Sequence, residues 1–275
     1  MQSELPPDTA EPDPRGHTID DSPAGFRLGA VVGGVQKAGT TTLFSYLKAH
    51  PALLAPIRKE THFFDDEGRD WRNPDYRALR AFFPPAAAGR TAFDVTPIYL
   101  FWPPALARIR SCCPDVRLIF LFRDPIERAW SHWRMERRRD AEALPFAAAI
   151  RGGRGRLADI APLDPAWRVF SYVERGFYAR QLQRLLALFP RRQILFLDMS
   201  ELAGQQEVTL GRIAAHLGIG PFPPLVSRHD HAAPDDAERL DPRDVDYLRL
   251  LFYDDMLEFT RLSGLRTDDW LTMRG

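Results

Sequence analysis

The sequence predicts an α/β protein, with a mainly parallel sheet layered between helices (α/β/α). Three observations carry this. Short apolar runs of strand length recur at 27–33, 91–95, 116–122 and 193–198. Helix-length amphipathic stretches separate them. The runs are nearly continuous in apolar character, as in strands buried on both faces.

In chain order, residues 1–25 are rich in Pro, Asp and Glu and lack apolar periodicity. They read as a disordered tail, with one domain expected over 26–275. The run 27–33 ends in glycines and reads as a buried strand. Residues 40–50 suit a helix stopped by Pro51. An extended piece is expected at 53–57 and a strand at 91–95. Residues 116–122 (VRLIFLF) are the clearest buried strand. Asp124 and Pro125 then supply an N-cap and an N1 proline for a helix to about Arg139. Arg151–Arg156 (RGGRGR) reads as a mobile loop. Residues 174–189 read as helix, 193–198 as strand and 205–217 as helix. Asp241-Pro242 opens a last helix with Val245, Leu248, Phe252, Met256 and Phe259 on one face, and Gly264 after it.

Composition narrows the function classes. Among 275 residues, 37 Lys+Arg balance 37 Asp+Glu. A dedicated nucleic-acid binder would carry a basic excess. No apolar run approaches the roughly 18 residues of a membrane span, and no signal-peptide pattern opens the sequence. The adjacent Cys112 and Cys113 build no disulfide framework. A soluble, cytoplasmic protein is expected. Lysine is scarce, with only Lys37, Lys48 and Lys59.

Three segments carry chemistry. The first strand runs into Gly33-Gly34-Val35-Gln36-Lys37-Ala38-Gly39-Thr40-Thr41-Thr42, and a helix follows. Glycines permit close backbone approach, and a helix N-terminus offers free N–H groups and partial positive charge, which suits phosphate or sulfate. The spacing Gly34-x4-Gly39 matches a Walker A loop, but Thr40 stands where its lysine belongs, and the lysine lies within the loop at Lys37. A glycine-rich turn without a ligand is the other reading. The second segment is Arg58-Lys59-Glu60-Thr61-His62-Phe63-Phe64-Asp65-Asp66. In an extended chain Glu60 and His62 share a face, and a carboxylate beside an imidazole fits proton abstraction. By itself it reads sooner as a surface charge pair beside buried Phe63 and Phe64. The third begins at the end of VRLIFLF with Arg123-Asp124-Pro125 and continues to Ser131. An arginine at the carboxyl end of a parallel strand suits bidentate phosphate contact. It suits equally an ion pair with Asp124 or Glu127.

Together, in this order, these segments resemble sulfotransferases that use 3′-phosphoadenosine 5′-phosphosulfate (PAPS), of the heparan-sulfate type and its bacterial relatives. GxxKxGTTxL resembles their 5′-phosphosulfate loop, KETHFFD their acid–base signature, and RDPxxRAxS their 3′-phosphate motif. The resemblance spans about Leu28 to Trp270 and implies the P-loop-like sulfotransferase fold. It implies that Gly34, Lys37, Ala38, Gly39, Thr40, Thr41 and Thr42 bind the donor's phosphosulfate, and Arg123 and Ser131 its 3′-phosphate. Glu60 is implied as the base on the acceptor, His62 as its partner, and Lys37 as the group stabilising the leaving phosphate. Lys59 is implied as a substrate contact.

Asp94-Val95-Thr96-Pro97-Ile98-Tyr99 resembles the family's substrate-side segment, which points to Thr96 and Tyr99 as acceptor-cleft residues; a proline turn with a packed tyrosine is the alternative. Glu174-Arg175-Gly176-Phe177-Tyr178 resembles the family's G-x-Y helix, so Tyr178 is a cofactor or substrate contact or a packed ring. Arg228 and His229 stand where relatives carry a basic loop over the nucleotide, without its glycine pattern. The His-x-His of His229 and His231 has no further ligand set of convincing spacing, so no metal is expected. Seven arginines and three acids lie between Arg134 and Arg156, which reads as a solvated face or an attraction for anions.

The implied reaction moves a sulfuryl group from PAPS to a hydroxyl or amine of a carbohydrate, lipid or small metabolite. The alternatives are a P-loop kinase or NTPase, discriminated by Mg²⁺-dependent ATP hydrolysis, and a nucleotide-binding protein without chemistry, discriminated by PAPS binding without transfer. Oligomeric state is not legible.

Overall fold

The structure, a computed structural model, describes residues 28–85, 89–224 and 239–274. The expected tail at 1–25 and the segment with Arg228 and His229 lie outside the described residues. Five strands form one sheet: β1 Leu28–Gly34, β2 Leu53–Leu54, β3 Thr91–Val95, β4 Arg117–Phe122 and β5 Ile194–Asp198. Every pairing is parallel, in the order β2-β3-β1-β4-β5. Val31 of β1 lies between Asp94 of β3 and Leu118 of β4. From β1 the chain goes outward to β2, returns to β3, and crosses to β4 on the other side. Strand order thus reverses around β1, which opens a crevice at the carboxyl ends of the strands.

The helices are α1 Thr40–Ala49, α2 Pro103–Cys112, α3 Pro125–Arg138, α4 Phe146–Ala149, α5 Ala166–Phe170, α6 Tyr178–Leu188, α7 Met199–Gly204, α8 Gln206–Leu217 and α9 Pro242–Ser263. Among the described residues none is long and apolar enough to cross a membrane.

The core centres on β4, whose Leu118–Phe122 are fully buried. The Phe122 ring meets Tyr178 of α6, Phe196 of β5 and Phe259 of α9 at centroid distances of 5.1, 5.9 and 4.8 Å. The expected apolar face of α9 buries Leu248, Phe252, Met256 and Phe259, and Gly264 caps the helix at φ 71°. Gly176 lets α9 approach, because a Cβ there would meet the Phe252 ring at 2.5 Å.

Three elements differ from the sequence reading. The strand expected at 53–57 is only Leu53–Leu54, since Pro56 follows and Ile57 N donates instead to Phe82 O at 2.8 Å. The 174–189 stretch divides into a tight turn, Glu174–Gly176, and then α6. RGGRGR is not a free loop. It forms a 3₁₀ turn over Gly152–Leu157, tied down by Arg151–Asp244 (2.6 Å), Arg154–Glu174 (2.8 Å) and Arg156–Glu142 (2.7 Å). Several elements were not anticipated, α2 among them. Its prolines open the helix, and Cys112 and Cys113 close it as free thiols.

Candidate active site

The loop after β1 turns at the crevice. Val35 N donates to Leu121 O (2.7 Å), which fastens it to β4. Lys37 (φ 74°) and Gly39 (φ 79°) take left-handed conformations. Glycine is needed at 39, where a side chain would also press on Met199. α1 starts at Thr40 with no side-chain cap. Its first N–H groups and dipole are therefore available to an anion. Among the described residues no carboxylate contacts the Lys37 ammonium. Burial pushes its pKa down, and Arg138, Arg139 and Arg123 push in the same direction. Repulsion among these cations is what an incoming anion relieves.

At the end of β4, Arg123 Nε donates to Glu127 Oε2 (2.9 Å), and its Nη1 reaches Lys37 O at 3.5 Å. The sequence reading's ion pair with Glu127 thus coexists with a place beside the loop. Tyr178 Oη donates to Arg123 O at 2.9 Å and fixes the strand end. Asp124 caps α3 by accepting from Ile126 N and Glu127 N, while its other oxygen accepts from Thr272. It is a buried structural group. Ser131 lies further along α3 on the cleft wall.

The acid–base segment is not a strand. Glu60 (φ 63°) and His62 (φ 52°) are both left-handed. Two such bends, and not the two-residue period of an extended chain, bring His62 Nε2 to 3.4 Å from Glu60 Oε2. The other imidazole nitrogen, Nδ1, lies 2.9 Å from Asp65 Oδ2, and Asp65 also accepts from Arg168 of α5. Lys59 pairs with Glu60. Burial alone would raise the Glu60 pKa, but the hydrogen bond from His62 and the charge of Lys59 hold it down at about 2. The bonds to Asp65 and then Glu60 lift His62 to about 9. At neutral pH the row is Lys59⁺, Glu60⁻, His62⁺, Asp65⁻, Arg168⁺.

Between Glu60 and His62, Thr61 anchors the segment. Its Oγ1 donates to Asp94 Oδ2 (2.7 Å) at the end of β3. Thr96 Oγ1 and Tyr99 Oη donate to the same carboxylate at 3.0 and 2.7 Å. Thr96 and Tyr99, expected in the acceptor cleft, are fully buried and do not line it; the adjacent Pro97 and Ile98 do. Their hydroxyls are needed beneath the site to satisfy Asp94.

These pieces meet in one cleft of about 1430 Å³ at the carboxyl edge of the sheet. That volume exceeds a typical single-ligand pocket. Of the expected residues, Lys37, Gly39, Thr40, Thr41, Thr42, Lys59, Glu60, His62, Arg123 and Ser131 line it. Gly34 does not: it ends β1, packed on Leu100 and Phe120. Ala38 is fully buried behind the loop, and Tyr178 is buried with its hydroxyl on Arg123. Asp65, Glu136, Arg168 and Arg175 also frame the cleft and were not singled out from the sequence. Asp65 had a signal, three residues after His62. The others come together only through folding. Among the described residues no group of three His, Cys, Asp or Glu is placed to hold a metal ion.

No family model matches the chain. Curated relatives do. Human heparan sulfate glucosamine 3-O-sulfotransferase 3B1 is 32% identical over 235 residues, covering 78% of this chain and 55% of that protein. The human bifunctional heparan sulfate N-deacetylase/N-sulfotransferase 3 is 29% identical over 202 residues, 68% of this chain and 22% of that protein. The chain thus spans about half the length of the first relative and less of the second. Among solved structures, a sulfotransferase from Alicyclobacillus acidocaldarius superposes with a TM-score of 0.73 at 25% identity, over 89% of this chain and 98% of that one. With the parallel sheet, the strand-to-helix anion loop and these relatives, the chain belongs to the sulfotransferase family.

Proposed function

We propose that the protein transfers a sulfuryl group from PAPS to a hydroxyl or amine of a carbohydrate, lipid or small metabolite. One observation carries the reading: the anion loop with Lys37, the strand-end Arg123 and the Glu60–His62 pair open into the same cleft. The curated relatives' glucosamine acceptors, and their O- and N-sulfotransferase names, support a sugar hydroxyl or amine as one acceptor class.

The cleft suits a polyanionic donor, since among the described residues Lys37 has no carboxylate partner and α1 has no side-chain cap. Lys37, Gly39 and the N–H groups of Thr40–Thr42 would hold the phosphosulfate, and Arg123 with Ser131 the 3′-phosphate. When bound there, the donor supplies the sulfuryl group and departs as 3′-phosphoadenosine 5′-phosphate (PAP). Sulfuryl transfer parallels phosphoryl transfer, with in-line geometry and little covalent work for the protein. Lys37 would stabilise negative charge growing on the oxygen that leaves sulfur. Glu60 would take the acceptor proton. With its pKa held at about 2, it is a weak base toward a resting hydroxyl. It becomes competent as the new S–O bond forms and acidifies that hydroxyl. His62 and Asp65 keep the Glu60 carboxylate aimed.

Calorimetry with PAP, and ADP as control, tests the reading. Tight binding that needs the 3′-phosphate and disappears in Arg123→Ala is expected. Equal binding of ADP, or none of PAP, overturns it.

A further inference from the structure

Arg175 reaches both chemical halves of the cleft from beneath. It lies buried in the turn between α5 and α6. Its backbone is fixed on both sides: N donates to Ser171 O (3.3 Å), and O accepts from Gln181 Nε2 (3.1 Å). The guanidinium lies over the Phe101 ring, 4.9 Å from its centroid. Nη1 donates at 2.8 Å to Oε1 of Gln36, the loop residue before Lys37. Nε donates to Ser171 Oγ at 2.7 Å, and Nη2 to the carbonyls of Trp167 and Arg168 at 3.4 and 3.0 Å. Those carbonyls stand at the end of α5, where a helix has no N–H groups of its own left to fill them. From α5 the Arg168 side chain grips Asp65 by both its carboxylate and its backbone carbonyl. Asp65 in turn holds His62 beside Glu60.

Stability gives no reason for a charge at this place. All four acceptors are uncharged, and among the described residues the guanidinium forms no ion pair. A buried charge without an opposite partner is costly. Burial first, and then repulsion from Arg128 and Arg168, push its pKa down to about 9, which leaves it charged at neutral pH. What the guanidinium offers is a planar fork that holds several separately directed acceptors at once, which the point charge of an ammonium does not.

Resting on the sulfotransferase reading, we propose that Arg175 is a positioning residue for sulfuryl transfer: it holds the donor loop through Gln36 and the Glu60–His62–Asp65 row through α5, so that one buried side chain sets the two in register.

Two readouts on the full chain test this. Calorimetry with PAP reports on the loop, and an NMR titration of the His62 imidazole, assigned by its absence in His62→Gln, reports on the row. Arg175→Lys keeps the charge and loses the fork. It is expected to weaken PAP binding at least about fivefold, the scale of one hydrogen bond, and to lower the His62 pKa from about 9 toward its ordinary 6.5 as Asp65 slackens. Loss of a nearby positive charge alone would act upward. Gln36→Ala breaks the loop side only, so it should weaken PAP binding to a similar degree and leave His62 at about 9. The double variant should bind PAP no more weakly than Arg175→Lys, because both changes break one link. Additive losses would mean that Arg175 meets the donor itself and overturn the proposal. So would unchanged PAP affinity in Gln36→Ala, or an unshifted His62 in folded Arg175→Lys. If Arg175→Lys does not fold, Ser171→Ala takes its place, since it removes the Nε acceptor and leaves the guanidinium. Both readouts must then move together, and movement of one alone, or of neither, overturns the proposal. Wild-type PAP binding is measured first. Its absence is the failure of the donor reading and of what rests on it, whereas unmoved variants beside a wild type that binds are the failure of this proposal alone.

Discussion

Asp94 Oδ2 accepts a 2.7 Å hydrogen bond from Thr61 Oγ1, and through it a residue buried under the sheet edge sets the direction of two residues in the cleft. Thr61 is the only residue between Glu60 and His62, and both of these hold left-handed backbone conformations. Such conformations cost energy in non-glycine residues and persist when surrounding contacts impose them. Asp94, with Thr96 and Tyr99 completing its shell, is that constraint.

Asp94→Ala should therefore act at two levels. It leaves three buried hydroxyls without their acceptor, at roughly 1 kcal/mol each, and it frees the Glu60–His62 segment. A stability loss of about 3 kcal/mol in urea unfolding is expected, with a fall in kcat larger than the change in donor KM. Asp94→Asn retains one acceptor oxygen and should be milder in both. Unchanged kcat in a destabilised Asp94→Ala protein would confine Asp94 to stability.

Lys37→Ala and Glu60→Gln are each expected to lower turnover by at least about 100-fold, the scale of one electrostatic or one acid–base group. They should separate in binding. The proposed reaction has Lys37 meet the donor, so its loss should also weaken PAP binding, whereas Glu60→Gln should leave PAP affinity near wild type. Near-wild-type turnover in folded Glu60→Gln removes Glu60 as the base.

The sequence leaves Tyr178 either a ligand contact or a packed ring, and its hydroxyl distinguishes the two. A cofactor-stacking tyrosine would tolerate loss of its hydroxyl, while a tyrosine that fixes Arg123 through a 2.9 Å bond to its carbonyl would not. Tyr178→Phe should weaken PAP binding by about 5-fold, the worth of one hydrogen bond of ~1 kcal/mol, and leave ADP binding unchanged. Equal weakening of both nucleotides would place the hydroxyl's role away from Arg123.

Most strands and long helices were legible because each carries a local signal. β4 is uniformly apolar, Asp124-Pro125 marks the start of α3, and Gly264 marks the end of α9. The strand-to-helix loop at the cleft was legible for the same reason, since it is contiguous in sequence. Thr96, Tyr99 and Tyr178 stood open between ligand contacts and packed side chains, and the structure buries all three. Sequence placed them correctly along the chain, but which face they take depends on Asp94 and Arg123, their hydrogen-bond partners. Arg168 and Arg175 were not legible at all, because what they meet, Asp65 and Gln36, lies more than 100 residues away.

The Glu60–His62–Asp65 row predicts a pH dependence with a definite sign. His62 is raised from an ordinary value of 6.5 to about 9. Its stabilisation is therefore complete below pH 6.5 and is lost as pH rises through about 9. Glu60, depressed from 4.5 to about 2, contributes fully above pH 4.5 and loses its share as pH falls through about 2. Between these limits the row is fully charged. The His62 side chain is 44% exposed, so solvent screening keeps its effect modest. Thermal melts of wild type and His62→Gln should differ most between pH 4.5 and 6.5, and the difference should shrink toward zero by about pH 10. Glu60→Gln should remove the acid limb and part of the alkaline one, since Glu60 is the second support of the His62 charge after Asp65. A wild-type advantage that persists undiminished at pH 10 would mean that His62 contributes by packing, with no charge to lose.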